Sequence, residues 1–244
     1  MVNFFKKNKP VLKDLIPYDY IDIHSHLLPG IDDGAKTIED TKMLHSKMKQ
    51  MGFSKCITTP HIISGIWENT TESITTTFNA TLPQLPEENR HFKAAAEYMM
   101  DSEFSTLFQS EKLLTLKDNY VLVEMSYINP PIQLYEILFD LRIAGYQPVL
   151  AHPERYLFYH KSFNEYQKLI NSGCLLQLNL LSTVGYYGKE VAKIADALLQ
   201  KKMYSFSGSD IHHSKHIESF SSRLIISESK ELEVLLEKNQ FFDF

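Results

Sequence analysis

Cysteine is nearly missing from this chain, with Cys56 and Cys174 the two examples among 244 residues. Two thiols cannot build a disulfide framework, so a reducing compartment is the simpler expectation. Neither suits nucleophilic phosphate chemistry, because a cysteine phosphatase needs an Arg six positions downstream and those positions hold Ile62 and Leu180. Excess positive charge is also missing: 25 Lys and Arg face 30 Asp and Glu, which argues against a general nucleic-acid binder. No apolar run approaches the roughly 20 residues of a membrane-spanning helix. No phosphate-cradling G-x-x-x-x-G-K-[ST] loop, dinucleotide G-x-G-x-x-G turn or G-x-S-x-G elbow occurs.

The N-terminus lacks the apolar run of a secretory signal. Residues 1–19 read as a loosely attached extension, in which Phe4-Phe5-Lys6-Lys7 offers a peripheral membrane contact and a frayed terminus is the simpler expectation. The sequons Asn69-Thr70-Thr71 and Asn79-Ala80-Thr81 read as chance.

From Tyr20 the chain alternates short apolar runs with longer amphipathic ones. Strands are expected at 20–24, 55–59, 92–97, 120–125, 147–151, 175–179 and 204–207. Helices are expected at 38–51, 73–85, 132–144, 163–171, 190–200 and 230–238, with Gly52, Gly145 and Gly173 as stops. Strands alternating with helices imply a parallel sheet with right-handed crossovers, closed or nearly closed, in one domain over 20–244.

What the sequence does have is histidine, ten residues of it. The placement is informative. His24 and His26 end the first expected strand, with Asp32 and Asp33 in the loop beyond. His61 follows the second, Glu97 ends the third, Glu124 lies in the fourth, His152 follows the fifth, and Asp210 and His212 follow the last. Six of seven strands thus deliver a His or carboxylate to one rim, where β/α barrels build active sites. His24 and His26 share one side of an extended segment, and Asp22 shares it and is placed to orient a ligand. Mixed His and carboxylate donors without Cys suit Mn, Fe or Zn held for catalysis. His45, mid-helix, and His91, before the third strand, read as ordinary packing or surface residues, as does His160.

These residues carry a resemblance. Ile21-Asp22-Ile23-His24-Ser25-His26 with Pro29-Gly30-Ile31-Asp32-Asp33-Gly34-Ala35 resembles the opening of the polymerase-and-histidinol-phosphatase (PHP) superfamily. Thr59-Pro60-His61, Ala96-Glu97-Tyr98, Val123-Glu124, Ala151-His152-Pro153-Glu154-Arg155-Tyr156 and Gly208-Ser209-Asp210-Ile211-His212 follow in family order. Within the superfamily the chain is similar to the bacterial capsule and exopolysaccharide tyrosine phosphatases, the CpsB/YwqE type. A Glu at 124, where many PHP proteins carry His, resembles that branch.

The resemblance implies a distorted (β/α)7 barrel and three divalent ions, Mn foremost, with Fe or Zn as alternatives. It implies that His24, His26, Glu97 and Asp210 hold the first ion, that Glu97 bridges to a second with Glu124 and His152, and that Asp33, His61 and His212 hold the third. Arg155 would grip substrate phosphate through its planar fork. The implied activity is hydrolysis of phosphotyrosine on the tail of a bacterial tyrosine autokinase, in the cytoplasm. The alternatives are a phosphoesterase for a metabolite such as histidinol phosphate or a nucleotide, and a non-catalytic regulator of the kinase complex. The chain departs from the pattern at His213, where relatives carry Asn, and at Ile217, where many carry a second phosphate-binding Arg. Lys215 and His216 are the candidates to compensate.

Overall fold

All pairings between strands are parallel among the described residues, 8–87 and 91–244, of the computed structural model. Strands β1 (Tyr20–Asp22), β2 (Phe53–Thr58) and β4 (Phe92–Ala94) form a three-stranded sheet in the order β1-β2-β4. A six-stranded sheet has the order β3-β5-β6-β7-β8-β9, built from β3 (His61–Ile62), β5 (Glu97–Met99), β6 (Tyr120–Glu124), β7 (Gln147–Ala151), β8 (Leu175–Asn179) and β9 (Phe206–Gly208).

The second strand ends at Thr58 close to expectation, but pairing resumes beyond the expected stretch as β3, and the third expected strand splits into β4 and β5. Pro60 supplies no N–H to a ladder and sits between β2 and β3. The backbone stays bonded through the bend: Ala95 N donates to Thr58 O at 2.8 Å and Glu97 N to Pro60 O at 3.1 Å. Each of these two segments thus begins in one sheet and ends in the other. The first strand, expected to reach His24, stops regular pairing at Asp22. Beyond it the chain turns to the segment after β9, with Asp210 N donating to His24 O at 2.7 Å and His26 N to Ile211 O at 2.9 Å.

Helices α1 (Ile38–Gln50), α2 (Thr71–Thr81), α3 (Ser102–Ser110), α4 (Leu134–Ile143), α5 (Asn164–Asn171), α6 (Lys189–Gln200), α7 (Ser214–Ser219) and α8 (Ser229–Glu237) fill the connections. Thr37 and Asp40 close a capping box on α1, and Thr70 with Ser73 does so on α2. Helix α2 stops earlier than the pattern suggested, because Pro83 turns the chain into a 3-10 turn at Leu82–Gln84. Helix α3 was not anticipated; Asp101 caps it, and Phe104 and Phe108 give it a buried face.

Two apolar layers result. Ile21, Ile57, Leu122, Val149, Ala151 and Phe206 pack together on one side of the sheets, joined by Phe242 from the C-terminal turn. The helices bury Leu44, Leu138, Leu169, Ala195 and Leu235 on the other. Asn239 binds that turn beneath the strands, donating to Ile21 O at 2.8 Å and Ser207 O at 2.7 Å.

The extension before β1 is attached where it is described, contrary to expectation. Leu12 is fully buried, Leu12 N donates to Ser222 O at 3.0 Å, and Leu224 N donates to Pro10 O at 3.0 Å. Apolar Leu12 and Ile16 drive this docking, which outweighs the charged residues around them. Phe4-Phe5-Lys6-Lys7 lies outside the described residues.

Candidate metal centre and active site

The strand ends bring the candidate ligands together. His24 Nε2 lies 3.1 Å from Glu97 Oε2 and 3.2 Å from Asp210 Oδ1, while His26 Nε2 lies 3.5 and 3.4 Å from the same oxygens. The two Nε2 atoms are 3.3 Å apart. Donors bonded at about 2.1 Å to one cation are separated by about 3.0 to 3.4 Å, so both imidazoles stand at about the spacing of a coordination shell from each other and from each carboxylate. Glu97 turns its other oxygen, Oε1, to His152 Nε2 at 3.1 Å. Asp33 Oδ1 is 3.5 Å from His61 Nε2 and 3.3 Å from His212 Nε2.

Glu124 and His61 are candidates whose nearest partners differ from expectation. Glu124 faces His61 Nδ1 at 2.8 Å rather than His152. Despite that distance, His61 Nδ1 and Glu124 Oε1 are misaligned for a hydrogen bond, and both are buried polar atoms without one. Orphaned buried donors and acceptors are costly, and a cation accepting both lone pairs would remove the cost. The residues therefore fit divalent ions. Groups within 4.8 Å of one another are His26, Asp33, His61 and His212; His24, His26 and Glu97; His24, His152 and Asp210; and His61, Glu97 and Glu124.

Charge supports the same reading. Although burial pulls the imidazole down, Glu97 and Asp210 raise His24 to about 10. Burial pushes Glu97 and Asp210 up, yet the surrounding histidines hold both well below the usual carboxylate range. Burial and then Arg155 lower His152 to about 4, leaving a neutral ring whose lone pair is available. The pocket thus concentrates ionised carboxylates that need either protons on their histidines or a cation between them.

Orientation comes from residues the sequence reading left without roles. His24 Nδ1 meets Gln177 Oε1 at 3.0 Å, and His26 Nδ1 meets Asp32 Oδ2 at 2.8 Å. Each contact fixes which ring nitrogen turns to the centre. Strand β8 had seemed to deliver nothing to the rim. It delivers amides instead: Gln177 on His24, and Asn179, whose Nδ2 donates to Asp210 Oδ2 at 2.8 Å. Polar residues alternating with Leu176 and Leu178 were the available signal. Asp22 touches neither ring; it accepts from Ser209 N and Oγ, both at 2.8 Å, and Ser209 Oγ lies 3.1 Å from His24 O. It acts on His24 through its charge and, by way of Ser209, through the backbone.

Close packing sets the positions further. A Cβ on Gly34 would lie 2.1 Å from His26 O, so only glycine lets the Asp32-Asp33 loop rest on the His26 backbone. His152 and Asp210 adopt left-handed backbone angles, φ 37° and 51°. Such conformations cost about 1–2 kcal/mol each for ordinary residues and gather at functional sites.

Arg155 completes the pocket. Nη1 donates to Asp210 Oδ2 at 2.6 Å, and the guanidinium lies 4.0 Å from the Tyr187 ring and 4.8 Å from the Tyr127 ring. A cavity of about 270 Å³ is lined by these three side chains together with Asp33, His61, His152, Asp210, His212, His213 and His216. Glu154, fully buried, accepts from Asn179 N, Ser182 Oγ and Tyr204 OH at 3.0, 2.7 and 2.9 Å, pinning the turn between His152 and Arg155 to the end of β8. Lys215 is exposed and does not line the cavity. His216 does, but its Nδ1 accepts from His212 N at 3.1 Å, so it props His212. His45 is buried against Phe92 and His160 bonds Glu154 O, both away from the donor clusters.

Comparison with known proteins follows this geometry. Tyrosine-protein phosphatase YwqE of Bacillus subtilis is 28% identical over 198 residues, 80% of this chain and 78% of that one. Tyrosine-protein phosphatase CpsB of Streptococcus pneumoniae is 27% identical over 201 residues, 79% of this chain and 83% of that one. A crystal structure from work on these two metal-dependent tyrosine phosphatases matches with TM-score 0.75 and 25% identity, over 91% of this chain and 88% of that one. Residues 20–219 match the model of the CpsB/CapC family of capsular polysaccharide synthesis, and the chain belongs to that family.

Proposed function

We propose that this chain is a metal-dependent phosphatase of phosphotyrosine in proteins, with a bacterial tyrosine autokinase of polysaccharide assembly as its substrate in the cytoplasm. The single observation that carries this is the convergence of Glu97, Asp210 and five imidazoles at the floor and wall of one small cavity that Arg155 also lines. In this reading the two sheets act as one distorted (β/α)7 barrel, closed where Ser25 bridges Ile211.

His24, His26, Glu97 and Asp210 would hold one divalent ion. Glu97, Glu124 and His152 would hold a second, and Asp33, His61 and His212 a third, with Mn the first choice and Fe or Zn the alternatives. When bound, such ions neutralise phosphoryl charge and make a water nucleophilic at neutral pH. The protein supplies the rest. Arg155 spends one donor on Asp210, and its fork retains others for the phosphate oxygens. Tyr127 and Tyr187 both contact that fork through their rings, so little rotamer freedom would be lost when phosphate arrives. A tyrosyl leaving group, with pKa near 10, demands less from a general acid than an alkyl alcohol does. His216 is buried, and that burial with its neighbours lowers it to about 3; it would be a neutral prop for His212, with no second cation replacing the family's arginine.

The test is turnover of phosphotyrosine peptides, phosphoserine peptides and histidinol phosphate by purified, Mn-loaded protein. Preference for phosphotyrosine is expected. Preference for histidinol phosphate would instead assign a metabolite phosphoesterase, and metal binding without turnover of any would assign a regulator.

A further inference from the structure

The two loops that build the catalytic cavity do not end there. Tyr127 opens the loop after β6, and the next residues are Ile128, 85% exposed, and Ile132, 95% exposed. His152 and Arg155 begin the turn after β7, which continues into Phe158 and Tyr159. Past the cavity, Pro130, Pro131 and Ile132 from the first loop, Tyr135 from the start of α4, and Phe158 and Tyr159 from the second loop enclose a shallow groove, with Glu165 of α5 at its edge accepting from Tyr135 OH at 3.0 Å. Isolated exposed apolar residues need no explanation, but Ile132, this bare near an active-site mouth, forms part of a concave, largely apolar surface.

We infer that this groove receives an apolar side chain of the polypeptide that carries the phosphotyrosine, placing a specificity determinant on Ile132 and Phe158. The inference rests on the phosphatase reading above. Continuity between cavity and groove identifies the occupant, since the same two loops wall both. The rings step outward from the cavity: Tyr127 to Tyr156 is 5.7 Å between centroids, and Tyr156 to Phe158 is 5.5 Å. The groove therefore begins within about 11 Å of the cavity wall, the reach of roughly three residues of extended chain. A polypeptide with its phosphotyrosine in the cavity lays a residue about three positions away over Ile132.

The experiment compares two phosphotyrosine peptides, one with Leu and one with Asp three residues to either side of the phosphotyrosine, with p-nitrophenyl phosphate as a substrate too small to reach the groove. The wild-type holoenzyme should favour the Leu peptide by about tenfold in kcat/KM, as partial burial of one such side chain implies. Ile132→Asp, at an exposed site, should erase that preference through KM and leave p-nitrophenyl phosphate turnover unchanged. Equal kcat/KM for the two peptides in the wild type, or a preference that survives Ile132→Asp, would overturn the inference while leaving the phosphatase reading intact. A change from dimer to monomer in Ile132→Asp would also overturn it, assigning the groove to a second copy. No turnover of any of the three substrates would overturn the phosphatase reading and this inference with it.

Discussion

Replacing Gly34 with alanine adds one methyl group at a point where the backbone cannot yield. That carbon would sit 2.1 Å from His26 O, 2.5 Å from His26 Cβ and 2.8 Å from His26 C. Ordinary contact begins near 3.4 Å, so the loop must lift by more than an ångström. Ala35 N, bonded to His26 O at 3.0 Å, is pulled away in the process. Two side chains travel with the loop: Asp32, which orients His26, and Asp33, which faces His61 and His212. Overpacking of this kind costs about 1–3 kcal/mol of stability. Loss of ligand orientation typically costs about 10–100-fold in metal affinity, and an ångström of misplacement about 100-fold in rate. Gly34→Ala should therefore show a modest drop in Tm, Mn affinity down by at least tenfold in a chelator-competition titration, and phosphatase activity down by about 100-fold. Wild-type Mn affinity in a folded Gly34→Ala protein would refute the argument that this contact seats the loop.

Further outcomes are expected from the same geometry. Arg155→Lys cannot reproduce the ring contacts to Tyr127 and Tyr187 or fork onto phosphate, so kcat/KM for a phosphotyrosine peptide should fall by about 30-fold or more, on the scale of a lost charge-assisted bond, while metal content measured by atomic emission is unchanged. Glu154→Ala strands three buried donors and should lose about 3–6 kcal/mol in urea unfolding; a loss under 1 kcal/mol would contradict the network. His45, lowered to about 4 by burial and then by Lys49 and His91, is neutral in the fold and charges more readily when unfolded. Its contribution is present above about pH 6.5 and lost as pH falls toward 4, about 2 kcal/mol by pH 5. His45→Leu should lose that much less stability between pH 7.5 and 5 in parallel urea titrations. Chelation should abolish turnover, and added Mn should restore it.

Much of the site was readable because its parts obey local rules. His24 and His26 fall two apart on an extended segment, and Glu97, Glu124, His152 and Asp210 mark the ends of apolar runs, so period and position alone gathered them on one rim. The amides of β8 escaped notice because Gln177 and Asn179 are common residues whose importance appears only when the ring nitrogen and the carboxylate they bond are known. Tyr127 and Tyr187 were missed for a related reason: they meet Arg155 from separate loops, and no local pattern links those segments. The break at Ala95 and the resumption of pairing beyond Pro60 were likewise hidden, since the apolar run at 92–97 does not change and two residues make too short a strand to show a pattern. The docking of Leu12 depended on Phe220 and Ser222, more than two hundred residues away, whereas the local text around it is charged.

The bonds between the first strand and the segment after β9 also bear on when the candidate metal centre can form. Asp22 and Ser209 are 187 residues apart in sequence and bond directly in the fold. His24 and Asp210, on either side of that seam, are candidate ligands of one ion. A chain emerging from the ribosome therefore cannot bring Asp210 to His24 and His26 until β9 has been made and the segment after it threaded against the first strand, and closing so long a loop is slow compared with local structure. Full loading of that cluster would then report completion of the fold, because a half-made chain carries His24, His26 and Glu97 without Asp210.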